Sequence, residues 1–248
     1  MAVANPGINL GPGSADDGWV KPPAVTLGDG SLVQLYKDGE ALWAAFNVMR
    51  DAKRFIFLEV YIFAGDQTGQ AFADLMIEKA RRGVQVYFIY DSFGSLETDR
   101  GIFRRMKAAG VYVQQFNPIR PWECTYSWRP VNRDHRKLLV VDDWFGGMGG
   151  LNIANEYAGP WVVKNDRPAN SYWRDTSVGI VGPSVRPLTR SFMQSWKYII
   201  HGGPIARAQY THAIVGIPRL KRRVAKKITR RRLPHYAEGD ENAPPAEM

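Results

Sequence analysis

The 248-residue chain has only one cysteine, Cys124. An intrachain disulfide framework is therefore excluded, and a cysteine-based zinc site is not expected. Nothing in the surrounding PWECTYSW sets a base beside the thiol, which argues against a cysteine nucleophile. Long apolar runs are missing too. RFIFLEVYIF is far shorter than the roughly 18 residues that a membrane-spanning helix needs, so it reads as a strand. The opening MAVANPGINLGPGSADDGWVKPP has no basic n-region and no apolar h-region, so it does not read as a signal peptide. Its glycines and prolines predict loosely ordered chain up to about Asp29. No internal repeat is visible, which excludes a solenoid or propeller.

What is present describes a globular body. Hydrophobic residues make up 45% of the chain and charged residues 23%, the balance of a soluble domain. The net charge of +9 is unevenly spread. RLKRRVAKKITRRR, from Arg219 to Arg232, carries nine Lys and Arg and no acid, while the tail beyond it carries acids only. Together these two segments account for +5, which leaves the body mildly basic.

Periodicity predicts alternating strands and helices. SLVQLY reads as a strand, GEALWAAFNVMRDA as a helix, RFIFLEVYIF as a strand buried on both faces, and GQAFADLMIEKARRG as a helix ended by Gly83. VQVYFIYD, DRGIFRRMKAAG and VYVQQF continue as strand, helix and strand. This succession implies an α/β fold with a mixed, largely parallel sheet covered by helices on both faces. A Pro-, Arg- and aromatic-rich loop from Asn117 to Arg133 interrupts the rhythm. KLLVVDD and WFGGMG then read as strands joined by a turn at Asp142 and Asp143, and YWRDTSVGIVG as a further strand. SVRPLTRSFMQSWKYII is a helix with Pro187 in its first turn. The expected organisation is a flexible segment 1–30, one domain 31–203, and a basic segment with an acidic, disordered tail, 204–248.

The stretch DHRKLLVVDDWFGGMGGLN, Asp134 to Asn152, carries the chemistry. On a strand, residues two apart share a face, so His135 and Lys137 project together and Arg136 points away. A buried ammonium beside an imidazole is a poor core pair but suits an anionic ligand. The imidazole can act as nucleophile or general acid–base, and the ammonium can hold negative charge. Asn152 can donate its amide to an anion oxygen, and Gly149 and Gly150 allow close backbone approach.

The full spacing is His135, Lys137, four residues, Asp142, six residues, Gly149, Gly150, one residue, Asn152. It resembles the HKD signature of the phospholipase D superfamily. DAKRFIFLEVYIF, IEKARRGVQVYFIYDSFGS, HRKLLVVDD, GGLNIANEY and YWRDTSVGIVGP also resemble, in the same order, the first half of bacterial cardiolipin synthase-like proteins. The resemblance covers roughly Leu32 to Ile200. It implies a single phospholipase D-like domain in which His135 attacks phosphorus or protonates the leaving oxygen, while Lys137 and Asn152 hold non-bridging oxygens. It implies neither metal nor cofactor, because paired lysines supply the positive charge. Asp142, at an odd offset from Lys137, is expected to be structural, in an ion pair. Asp175 is the expected carboxylate that orients the His135 ring. Glu59, an acid inside an apolar strand, is expected at the site's rim or in a local pair. The chain departs from many family members with Asp134, where they carry Asn, and Gly150, where they carry Ser.

The family's chemistry uses two facing HxK motifs, and this chain has one. His201, His212 and His235 are followed two positions on by Gly203, Ile214 and Ala237. A homodimer, a truncated or split half of a longer enzyme, or a non-catalytic phosphate-ester or membrane-binding module each accounts for that. The resemblance points to a phosphatidylglycerol-like phospholipid substrate, with transfer or hydrolysis of the phosphatidyl group. A phosphodiesterase nuclease is the alternative, since Arg219, Lys221, Arg222, Arg223, Lys226, Lys227, Arg230, Arg231 and Arg232 suit nucleic acid as well as an anionic membrane surface. Leu220, Val224, Ile228 and Leu233 recur at roughly helical spacing among these cations, as in an interfacial helix. Trp122, Tyr126, Trp128, Trp144, Tyr157 and Trp161 surround the motif; they suit a lipid-facing mouth, base stacking or a core. The expected location is cytoplasmic, with peripheral attachment at the inner membrane.

Overall fold

The computed structural model describes residues 20–119, 132–158 and 172–201. The basic segment from Arg219 to Arg232, the acidic tail, Cys124, Trp122, Tyr126, Trp128 and Trp161 lie outside the described residues.

The centre of the fold follows from the most apolar strand. β3 (Phe55–Val60) is buried along its whole length. β4 (Gln85–Asp91) lies parallel to it, reached through α2 (Gln67–Arg81), and β5 (Tyr112–Phe116) is parallel to β4 through α3 (Arg100–Ala108). Each crossover helix is capped by an aspartate: Asp66 accepts from Gly69 N at 3.0 Å, and Asp99 from Gly101 N at 2.9 Å. On the other side of β3 lie β6 (Leu138–Val141), β7 (Phe145–Gly149), β8 (Thr176–Val181), β2 (Leu32–Lys37) and β1 (Val25–Thr26). The eight strands form one sheet in the order β1-β2-β8-β7-β6-β3-β4-β5.

The sheet is mixed, but it is not largely parallel. Among the named strands of the described residues, β3–β4 and β4–β5 pair in parallel and the remaining pairings are antiparallel. The reason is local. Asp142 and Asp143 take φ values of 54° and 63°, which closes a tight hairpin between β6 and β7. The three residues Asp142 to Trp144 can only reverse the chain, whereas a parallel neighbour requires a crossover of a dozen residues or more.

Helices cover both faces, as expected. α1 (Gly39–Asp51), α2, α3 and the short α4 (Asn155–Ala158) pack on one face, burying Met49, Phe72, Met76 and Met106 against Ile56, Val86, Phe88 and Val141. α5 (Arg186–His201) covers the other, where Phe192 stacks on Phe57 at 4.7 Å and Trp196 meets Tyr87 edge-on. Both layers alternate along β3 and β6, so neighbouring residues serve opposite faces.

The N-terminal reading needs one correction. Within the segment expected to be loose, Val25 and Thr26 pair with β2. Lys21 binds Glu40 at 2.7 Å with its ammonium 4.0 Å above the Tyr36 ring. These contacts tie the chain to the sheet edge before Asp29. Among the described residues, no helix is long and apolar enough to cross a membrane.

Candidate functional site

The extended chain entering β6 holds the two residues of greatest chemical interest. The strand itself starts at Leu138, so His135 and Lys137 precede it. Alternation nevertheless separates the side chains. Arg136 turns toward α5, with Nη2 2.9 Å from Glu59 Oε1, Nε 3.2 Å from Asp134 Oδ1, and further contacts to Ser191 and Ser195. Lys137 turns the opposite way. Its Nζ donates to the His135 carbonyl at 2.8 Å and lies 5.4 Å from the Tyr61 ring centroid. The His135 ring meets the same tyrosine, centroid to centroid, at 4.9 Å. His135 is exposed, while Lys137 is only 8% exposed.

Register assembles the rest. Leu138 pairs with Met148, so one step outward Lys137 comes beside Gly149, and Gly149 pairs with Ser177. The start of β6, the end of β7 and the start of β8 therefore share one sheet edge. The parallel strands β3, β4 and β5 point their C-terminal ends to that same edge, a favoured place for ligands in open α/β sheets. Lys137, Gly149 and Ser177 also line an apolar hollow between α1 and the sheet, together with Leu42, Leu58 and Met148.

Asn152 is buried and its direction is set. Its Oδ1 accepts from Ile62 N at 2.9 Å, so Nδ2 is the group it can offer. Gly149 and Gly150 are needed for closeness. A Cβ on Gly149 would stand 2.0 Å from Ser177 Oγ, and a Cβ on Gly150 would stand 2.0 Å from Asp175 Oδ2. No side chain larger than hydrogen fits at either position without displacing its neighbour.

Asp175 behaves differently from the expectation. Its backbone is tied to Asp38, donating to Asp38 Oδ1 at 2.9 Å and accepting from Asp38 N at 2.8 Å. This holds the carboxylate over Gly150. Among the described residues it makes no hydrogen bond to His135. Burial pushes the Lys137 pKa down, and the Asp134 and Asp175 carboxylates oppose that shift.

Asp142 lies at the opposite end of β6. Its carboxylate accepts from Lys53 N, Arg54 N and Phe55 N at 2.7, 2.8 and 2.7 Å. It anchors the start of β3 through backbone amides rather than through the expected carboxylate ion pair; the Arg54 side chain reaches its carbonyl oxygen instead. Trp144 and Tyr157 pack against the helical core rather than at the site. The nine cations from Arg219 to Arg232 lie outside the described residues.

Tyr61 has no counterpart in the sequence reading. Strict alternation would place it with Glu59 on the α5 face, but β3 ends at Val60 and the chain bends, bringing the ring to His135 and Lys137. No periodicity signals that bend. Glu59 lies wholly buried beneath Arg136, on the face away from Lys137.

Residues 46–161 match the sequence family described as "Cardiolipin synthase, PLD-like domain". The probable cardiolipin synthase YwiE of Bacillus subtilis is 35% identical over 181 residues, 73% of this chain and 35% of its own. A cardiolipin synthase of Geobacillus kaustophilus is 38% identical over 171 residues, 68% of this chain and 32% of its own. The chain thus spans about a third of the length of these relatives. Among solved structures, NucT from Helicobacter pylori is similar over 69% of this chain and 97% of its own, with 14% identity and a TM-score of 0.49.

Proposed function

This chain belongs to the phospholipase D superfamily, and on that premise we propose that it supplies one half of a phosphodiester-transfer site acting on phospholipid through a phosphohistidine. The carrying observation is the gathering of exposed His135, buried Lys137 and the oriented Asn152 amide at one sheet edge. An imidazole nitrogen of His135 attacks phosphorus, and a P–N bond forms as the P–O bond to the leaving alcohol breaks. A second histidine protonates that leaving oxygen, then takes the proton of the incoming alcohol or water as it displaces His135. Lys137 and Asn152 hold the non-bridging oxygens, where negative charge gathers in the transition state. Burial lowers the Lys137 pKa, and the Asp134 and Asp175 carboxylates oppose that lowering.

The second His–Lys pair comes from a second copy or from a complementary half. The single HxK spacing within these 248 residues supports a site that needs a second pair. A phosphatidylglycerol-like substrate is supported by the named activity of those relatives. Phe93, Leu96 and Trp173 are also more than half exposed, which suits contact with lipid or with the missing half.

The test offers purified protein phosphatidylglycerol vesicles and single-stranded DNA, each with chelator, beside a His135→Ala control. Lipid turnover lost in the control supports the proposal. Turnover of DNA alone makes the protein a nuclease and overturns the lipid assignment. No turnover from a demonstrated dimer overturns the shared site between copies.

A further inference from the structure

The face of the site turned away from Lys137 holds more buried acid than its cations balance. Glu59 and Asp91 are fully buried, and Asp134 is only 4% exposed. Among the described residues, two guanidinium groups face these three carboxyls: Arg133 contacts Asp91 at 3.3 Å, and Arg136 contacts both Glu59 and Asp134. Lys137 points to Tyr61 and makes no ion pair with the group among the described residues. From α5, only the hydroxyls of Ser191 and Ser195 approach Arg136, and Ser195 also reaches Glu59.

Hydrogen bonding sharpens the count. Asp91 is satisfied by Phe93 N, Gly94 N, Asp134 N and Arg133. Asp134 Oδ1 accepts from the Arg136 backbone and guanidinium. Among the described residues, Asp134 Oδ2 and both oxygens of Glu59 are buried and accept no hydrogen bond of good geometry. Arg136 Nη2 is close to Glu59 Oε1 but is not aligned for a hydrogen bond. The two carboxyls nevertheless lie within hydrogen-bonding reach of each other. Two facing carboxylates are both acceptors, and buried acceptors without donors are costly. One proton between them pairs Asp134 Oδ2 with one Glu59 oxygen and brings the three carboxyls into balance with these two cations.

We propose that Glu59 is a positioning residue which holds a proton at neutral pH, donates it to Asp134 Oδ2, and with Arg136 clamps the chain carrying His135 and Lys137 against α5. Burial and the adjoining Asp134 carboxylate push the Glu59 pKa up to about 9, in keeping with that role. The positioning role rests on His135 and Lys137 being the reacting pair; the shared proton does not.

Two measurements on the full chain test this without turnover, so their failure is separable from failure of the phosphodiester reading. The first compares denaturant stability of wild type and Glu59→Gln from pH 5 to 9. An acid whose folded pKa is raised keeps its proton folded and loses it unfolded, so its contribution falls as pH rises from the ordinary glutamate value toward about 9. Wild type should therefore lose stability relative to Glu59→Gln across that range, and a constant difference overturns the proton. Should Glu59→Gln fail to fold, Asp134→Asn replaces it: the new amide donates to Glu59, and the fall should shrink. An undiminished fall in Asp134→Asn likewise overturns the shared proton. The second measurement is hydrogen exchange of residues 134–138. Protection should persist in Glu59→Gln, whose amide donates to Asp134, and fall at least tenfold in Glu59→Leu. Equal protection in Glu59→Leu and wild type overturns the clamp.

Discussion

Lys137 is a cation kept in a place that disfavours cations, and its titration follows from that. Burial lowers its pKa, so the folded chain releases this proton more readily than the unfolded chain. Stability therefore rises with pH through the window just below the ordinary lysine value, and Lys137→Met should remove that rise in urea unfolding measured across alkaline pH. On the proposed chemistry the ammonium is the working form, so turnover should fall as pH climbs toward the lowered pKa. Lys137→Met should cost about 10²–10³-fold in kcat while the fold persists, the range seen when a donor to developing negative charge is lost. His135 and Lys137 were legible from spacing. Tyr61 was not, because its placement depends on a bend after Val60 that no residue type marks.

At the scale of elements, the two ends of β6 do different work. At one end, Asp142 holds three backbone amides of the β3 start with φ at 54°. Asp142→Ala leaves those donors unmet and should cost about 3 kcal/mol in urea unfolding. Asp142→Asn, which keeps one acceptor oxygen and tolerates positive φ, should cost less. At the other end, β7 passes β8 so closely that Gly150 meets the Asp175 carboxylate. Gly150→Ala pushes that carboxylate away from its place near Lys137, with an expected cost of about 1–3 kcal/mol in stability and about 10²-fold in turnover. A Gly150→Ala protein with unchanged kinetics would show that Asp175 has no part in the site. The strands and helices themselves were legible, since periods of two and of 3.6 residues are local properties. The pairing of β6, β7, β8 and β2 was not, because antiparallel partners are chosen by turn geometry and by which edge remains open.

Taken whole, the molecule presents one histidine–lysine pair at an exposed sheet edge. If a second copy completes the site, turnover per chain should fall on dilution through the dimer's dissociation range, and light scattering should show monomer over that same range. Constant specific activity from a monomer would refute sharing between copies. A complementary half would instead restore turnover when added to inactive monomer.

The amino-acid order by itself determined the His135–Lys137 spacing, the alternation of strands and helices, and the separation of His135 and Lys137 from Arg136, because these depend on spacing and on the two-residue period of extended chain. The tertiary structure alone decided that Asp175 is held by Asp38 over Gly150, without a hydrogen bond to His135 among the described residues. It also turned Tyr61 into the site and left Glu59 facing Asp134 without a donor. Those outcomes depend on residues brought together from distant parts of the chain, where burial and lost solvation, not sequence spacing, set the energies.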